Sequence, residues 1–222
     1  MLSGLCLVTE KVCAAIKNSD LNKKLNILVL GTGTGILTMF LRQHFSTFLE
    51  KITTVDNDAG VLLAGRDHFG FNAEHDPMIE SVCADAHEFV WGQSANSFDL
   101  VIMDVNYEED SVNISPPLKF FTPEFLNQLV EITCEEGGLI AINVVVSEDK
   151  NRKKVVQALK ATAGCARFSS GMQEESNEVF YMAKGTFDKQ AEGRLEDTDN
   201  RVEKMNQVMN ALKLPKALLM NK

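Results

Sequence analysis

The sequence predicts an α/β fold, a mostly parallel sheet closed by an antiparallel hairpin, and three observations predict it. The segment NILVLGTGTG at 26–35 is a strand-forming apolar run broken by glycines at alternate positions, Gly31, Gly33 and Gly35, and an amphipathic stretch follows at once. Further apolar runs at 52–55, 79–83 and 98–103 each give way within two residues to an aspartate. Two late runs, 166–170 and 178–183, lie too close for a parallel crossover, which needs about a dozen residues or more, so they are expected to pair as a hairpin.

Strand, glycine turn and helix in that order open a nucleotide-binding βαβ unit. A backbone that turns sharply and approaches a ligand closely has no room for a Cβ, which is why glycine is expected there. The spacing G-x-G-x-G is shorter than the dinucleotide fingerprint G-x-G-x-x-G. It resembles the turn of class I S-adenosylmethionine-dependent methyltransferases, a Rossmann-like fold of seven strands. There the turn lies beside an amino-acid tail and a sulfonium, not a pyrophosphate. Gly31, Thr32, Gly33 and Gly35 are therefore candidate cofactor-binding residues. The bland alternative is a tight turn that binds nothing.

The strand tips add to this. The second run ends in Asp56-Asn57-Asp58, and an acid at that tip can accept from both ribose hydroxyls while disfavouring a 2′-phosphate. The third ends in Ala84-Asp85-Ala86, where a carboxylate would sit near an adenine edge. The fourth, FDLVIM, runs into Asp104-Val105-Asn106. Tips of successive parallel strands share the carboxyl edge of the sheet, the edge where open α/β folds bind ligands. Taken singly each acid reads as a loop residue or a helix cap; taken in order they form a site.

The remaining elements follow from periodicity and punctuation. Residues 2–17 carry Leu2, Leu5, Val8 and Val12 at helical spacing, and a helix fits better than a signal peptide because Glu10 and Lys11 interrupt the apolar stretch. Residues 36–45 form the helix after the glycine turn, and 59–69 the next, stopped by Gly70. Residues 105–121 are polar and aperiodic and read as a long functional loop. Its acids Glu108, Glu109 and Asp110 read either as a solvated acidic stretch or as groups that attract a basic partner. Thr122-Pro123 opens a helix through about Glu135, and Gly137-Gly138 leads to a fifth strand at 139–146. A helix at 148–162, a polar linker at 189–200 and a last helix at 201–214 complete the chain. Residues 1–188 are thus expected to form one domain, with 189–222 a linker and helix packed on it.

Composition narrows the function. The chain has 222 residues, 22 basic against 31 acidic, for a net charge of −9, which argues against a nucleic-acid surface. Five scattered cysteines without a C-x-x-C pair suggest reduced thiols inside the cell, and give no metal site. No apolar stretch approaches the roughly 20 residues needed to span a bilayer.

Together the segments resemble one family, the dual lysine and N-terminal methyltransferases of translation elongation factor 1-alpha, and in it the C-terminal, spermidine-synthase-like domain. The resemblance rests on LVLGTGTG at 28–35, HF at 44–45, VDND at 55–58, HFGF at 68–71, CADAHEFV at 83–90 and FDLVIMDVN at 98–106. It continues in SPP at 115–117, GLIAINVV at 138–145 and NEVFYM at 177–182. It implies a cytoplasmic enzyme that uses S-adenosylmethionine, releases S-adenosylhomocysteine and methylates the N-terminal amine or a lysine of a protein such as elongation factor 1-alpha. Asp104 is the candidate to orient or deprotonate the amine, or to hold the methionine amino group, and Asn106 is its companion. The family commonly has a second acid there, DVD in place of DVN, and asparagine is no base at neutral pH. The family also carries a separate methyltransferase domain towards its amino end, which this sequence does not include. Self-association as a homodimer stays open. The alternatives are a polyamine aminopropyltransferase, disfavoured by Thr32, Thr34 and Asn106, and a non-catalytic cofactor-binding module.

Overall fold

Among the described residues nine strands form one sheet with helices on both faces. The computed structural model describes residues 24–46, 48–106, 114–170, 177–185 and 192–194. The expected helices at 2–17 and 201–214, and the acidic stretch Glu108, Glu109 and Asp110, lie outside the described residues.

In chain order the elements are β1 (Leu25–Leu30), α1 (Ile36–His44), β2 (Leu49–Asp56), α2 (Ala59–Phe69), β3 (Ile79–Cys83), α3 (Ala86–Trp91) and β4 (Leu100–Met103). There follow β5 (Ile114–Ser115), α4 (Pro123–Ile132), β6 (Leu139–Val146), α5 (Asp149–Ala161), β7 (Ala166–Ser170), β8 (Asn177–Ala183) and β9 (Glu192–Arg194). The sheet runs β3-β2-β1-β4-β6-β8-β7-β9, with β5 paired to β6 off that path. Strands β1 to β4 and β6 are parallel, while β8 runs antiparallel to both β6 and β7. The expected seven strands and terminal hairpin are all present; β5 and β9 are added to them. β9 falls inside the segment expected to be a linker, and pairs with β7 from Arg167 opposite Glu192. An outermost strand exposes unpaired N–H and C=O groups, and a short extra strand satisfies part of that row.

The central strands read as unbroken apolar runs because both their faces are buried. In β1, Ile27 and Val29 enter one core while Leu28 and Leu30 enter the other. The same alternation divides Leu100 and Ile102 from Val101 and Met103 in β4, and Val179 and Tyr181 from Phe180 and Met182 in β8. Leu41 of α1 and Phe45 just after it belong to the first core; Val90, Phe125, Leu129, Val155 and Leu159 of α3, α4 and α5 belong to the second. Burying each such side chain is worth about 1.5–3 kcal/mol, and a one-residue slip would put each into the opposite core, where the packing does not match it.

Two helices differ from expectation. α4 stops at Ile132, short of Glu135, because Thr133 turns to an extended backbone, bridges to Phe98 and returns its hydroxyl to the Leu129 carbonyl. The last turn is then closed from outside the helix. Buried Lys184 donates 2.7 Å bonds to the carbonyls of Val130 and Thr133 and pairs with Glu135 at 3.1 Å. These are carbonyls that a helix end leaves without an internal partner. α3 is an element the periodicity did not announce, at six residues too short to show a face. Among the described residues no helix is long and apolar enough to cross a membrane. Of the described cysteines, Cys83 is exposed and Cys165 buried, and desolvation pushes the Cys165 thiol pKa up, which keeps it unreactive.

Candidate functional site

The glycine turn joins β1 to α1 at the carboxyl edge, in the middle of the sheet. Gly31 has φ +88°, and a Cβ there would drive into the Asp104 carbonyl at the exit of β4. The first glycine is therefore needed for backbone-to-backbone packing inside the protein. Gly33 differs: at φ +53° it meets nothing within 4 Å where a Cβ would stand. It is the glycine that opens outward. The start of α1 is set by Phe71 of the HFGF segment, whose ring fills the space a Cβ on Gly35 would need.

The tip of β2 holds the turn from the other side. The N–H groups of Gly31 and Thr32 both donate to the Val55 carbonyl, at 2.8 and 3.2 Å. Asp56 accepts from the Gly33 N–H at 2.8 Å through Oδ2 and from the Asp58 N–H at 3.0 Å through Oδ1. A carboxylate has about four lone-pair sites, so Asp56 retains capacity for further donors. The side chain of Thr32 is buried on Thr54, Oγ1 to Oγ1 at 2.6 Å, and its carbonyl accepts from the Gly35 N–H at 3.0 Å, so Thr32 holds the turn together. Asn57 is exposed, and Asp58 caps α2 by accepting from Gly60 and Val61. The three residues of this tip therefore have three different tasks.

At the tip of β3, Asp85 is the N-cap of α3. Its Oδ1 accepts from the N–H groups of His87 at 2.7 Å and Glu88 at 3.2 Å, and its Oδ2 faces the Lys119 ammonium at 3.3 Å. Desolvation pushes its pKa up, but the two backbone donors and Lys119 outweigh it, so the carboxyl stays below its ordinary range. Ala86 is buried behind it. Lys119 itself comes from the 3₁₀ turn Leu118–Phe121, beyond the long loop, and lies 5.1 Å from the centroid of the Phe120 ring.

On the other side of the turn, Asp104 leaves β4 with an exposed carboxylate whose Oδ1 accepts from the Asn143 amide at 2.8 Å. Asn143 follows Ile142 on β6, and Ile142 pairs with Met103, so the two strands present the pair side by side. Sequence reading passed over Asn143. The available signal was one amide inside the otherwise apolar run LIAINVVV. Asn106 accepts at 3.2 Å from the Ser115 hydroxyl, which also donates to the Val105 carbonyl at 2.7 Å. The Ser115-Pro116 bond beside it is cis. Among the described residues no cluster of His, Cys, Asp or Glu is arranged to hold a metal ion.

Across the edge the order is thus Asp85, Asp56, glycine turn, Asp104 and Asn143, following strands β3, β2, β1, β4 and β6. No family model matches the chain. An eEF1A lysine and N-terminal methyltransferase of Mus musculus is 28% identical over 189 residues, covering 81% of this chain and 26% of that protein. The chain thus spans about a quarter of the length of the curated relatives it matches. Human methyltransferase-like protein 13, solved in complex with S-adenosylhomocysteine, superposes with a TM-score of 0.76 at 23% identity, over 100% of this chain and 94% of that one. A probable spermidine synthase from Corynebacterium glutamicum superposes at 0.65 with 17% identity, covering 92% and 70%. The fold is that of the class I methyltransferases and spermidine synthases. The sequence resemblance to the elongation-factor methyltransferases is likewise found among the curated relatives.

Two predictions follow from this geometry. Gly31→Ala is expected to cost about 2–4 kcal/mol, from a left-handed φ and a clash with backbone that cannot yield. Gly33→Ala should cost about 1 kcal/mol, from φ alone. Urea unfolding of both variants checks the difference, and equal losses would refute it. Asp85→Ala should cost about 1 kcal/mol at neutral pH through the lost cap. Folding lowers the Asp85 pKa, so its contribution is complete above the ordinary aspartate range and disappears as pH falls through the lower folded value. The stability gap between wild type and Asp85→Ala is therefore expected to close in acid, and a gap that widened there would contradict the assignment.

Proposed function

We propose that the chain is an S-adenosylmethionine-dependent methyltransferase acting on an amine of a protein, an N-terminal α-amine or a lysine, with elongation factor 1-alpha as the leading acceptor. The observation that carries this reading is the division of the carboxyl edge by the glycine turn. Asp56 and Asp85 lie on one side of it, and Asp104 with Asn143 on the other. The similarity to methyltransferases named for eEF1A supports the choice of acceptor. The cytoplasm is the compartment that this acceptor implies. The spermidine synthases share the fold at 17–19% identity, and an aminopropyltransferase is not the favoured reading.

The residues fit an S-adenosyl group. Gly33 leaves open space, Asp56 keeps acceptor capacity for ribose hydroxyls, and Asp85 has Oδ2 directed away from its capping bonds. When bound, the cofactor supplies a methyl carbon made electrophilic by its sulfonium. The protein's part is to present an amine in a near-attack geometry and to remove its proton, since an ammonium has no lone pair to attack with. On this reading Asp104 does this. Asn143 donates to Oδ1 and fixes the plane of the carboxylate, so Oδ2 remains for the amine. On this reading Asn106, two residues on and tied to Ser115, is a neutral neighbour of the acceptor site.

Titration calorimetry with S-adenosylhomocysteine tests the donor half. Asp56→Ala should weaken binding by about 1.5–3 kcal/mol. Wild-type affinity in that variant would remove Asp56 from the site. Labelled S-adenosylmethionine with cell extract, followed by identification of the labelled terminus or side chain, tests the acceptor half. Asp104→Asn should lower turnover by about 10²-fold or more with little change in cofactor affinity. A collapse of that affinity would instead make Asp104 a cofactor ligand. Asn106→Asp is expected to lower the acceptor KM, because a second carboxylate attracts a cationic amine. An unchanged KM would place Asn106 outside the acceptor pocket. Cofactor binding without methylation of any acceptor would point to a non-catalytic module.

A further inference from the structure

We infer that Lys119 is a specificity-determining residue for the base, presenting with Asp85 a donor and an acceptor side by side that match the amino edge of adenine. The inference deepens the reading of this edge as an S-adenosyl site and rests on it.

The argument starts from the lone pairs of Asp85. Oδ1 is occupied by the His87 and Glu88 N–H groups, which also hold the carboxylate rigidly in place as the cap of α3. Oδ2 is the oxygen left to face outward, and the Lys119 ammonium stands 3.3 Å from it. Successive strands are about 4.8 Å apart, so the tips of β1 and β3 are separated by about 10 Å, the reach from an amino-acid tail across a ribose to a base. A base at the β3 tip therefore meets both groups. Adenine offers an amine donor at its 6-position and a ring-nitrogen acceptor beside it. A carboxylate only accepts and an ammonium only donates, so the two can pair with adjacent adenine atoms without any change of protonation. Oδ2 has lone pairs for the ammonium and for the 6-amine together.

Lys119 is also held for this task. Its ammonium lies 5.1 Å from the Phe120 ring centroid, and that ring is buried against Phe125 and His87. The side chain itself is half exposed, so it can shift the small distance needed to meet a ring nitrogen. Lys119 is thus a binding residue supplied by the segment beyond the long loop, and it reaches the base from a different direction than the strand tips do.

The test is a thermodynamic cycle on the whole chain, by calorimetry, with S-adenosylhomocysteine and its 1-deaza and 7-deaza analogues. Each analogue replaces one ring nitrogen by C–H. Lys119→Met keeps most of the stem and removes the donor, and is expected to weaken S-adenosylhomocysteine binding about tenfold, the low end for a charged hydrogen bond because the ammonium is half exposed. Lys119→Arg should restore most of it. One of the two deaza analogues should bind wild type about tenfold more weakly and lose nothing further in Lys119→Met. If both deaza effects simply add to that of Lys119→Met, Lys119 touches no ring nitrogen and the inference is overturned. If wild type binds no S-adenosylhomocysteine at all, the reading of the edge as an S-adenosyl site falls with it. Binding by wild type with no effect of Lys119→Met overturns the role of Lys119 alone.

Discussion

The contact between the glycine turn and the exit of β4 is the constraint on which the site depends. Gly31 lies against the Asp104 carbonyl with no room for a side chain, so the turn and the fourth strand tip have one fixed relation. The same turn is held to β2 by the Val55 carbonyl and the Asp56 carboxylate. β1 lies between these two strands, and its turn is therefore clamped from both sides. The groups that would meet a methyl donor and those that would meet an acceptor are positioned relative to one backbone segment. That is the arrangement a transfer reaction needs, because a misplacement of about 1 Å between reacting groups can cost 10²-fold in rate.

The two edges of the sheet handle polar groups differently. Near the amino edge they are consumed by the fold. Lys184 gives its ammonium to two carbonyls and a carboxylate, and Asp99 accepts from the Asn26 N–H at 2.9 Å. At the carboxyl edge the acids divide. Asp58 caps α2, whereas Asp56, Asp85 and Asp104 each hold backbone or side-chain donors and keep lone-pair capacity beyond them. A partly occupied carboxylate is both fixed and available. A fully solvated one would have to be ordered by the ligand, at a cost in side-chain entropy.

Much of this was legible in the sequence, for physical reasons that can be named. Strands buried on both faces must be apolar throughout, so 27–30, 52–55 and 139–146 announce themselves. Glycines at alternate positions mark a turn, and the aspartates after each run mark its edge. What stayed hidden depends on contacts between distant segments. Gly31 reads as a ligand-facing residue until β4 is seen against it. Asn143 reads as an oddity within a strand until Asp104 is beside it, and Lys119 as one surface charge until it is found at Asp85. The short helix α3 had a signal in Asp85 and Glu88, a cap residue with an acid three positions on, but no apolar face to confirm it. The early end of α4 goes with Thr133 bridging to Phe98 and with the closure of its last carbonyls by Lys184, more than fifty positions along the chain.

The neutral residues around Asp104 bear on the chemistry as directly as the acid does. On the proposed reading the acceptor arrives as an ammonium and must leave as an amine before it can attack. Each carboxylate within about 4–6 Å favours the charged form, so it draws the acceptor in and at the same time resists loss of the proton. A pair of acids would suit a cation that only has to be held. A single acid, fixed by the amide of Asn143 and flanked by Asn106 with its bond from Ser115, attracts the amine less strongly but opposes deprotonation less. On that reading an amide rather than an acid at position 106 shifts the balance between binding and proton release without removing the base. On that reading the group that accepts the proton is fixed by its backbone against the glycine turn and by its side chain against β6.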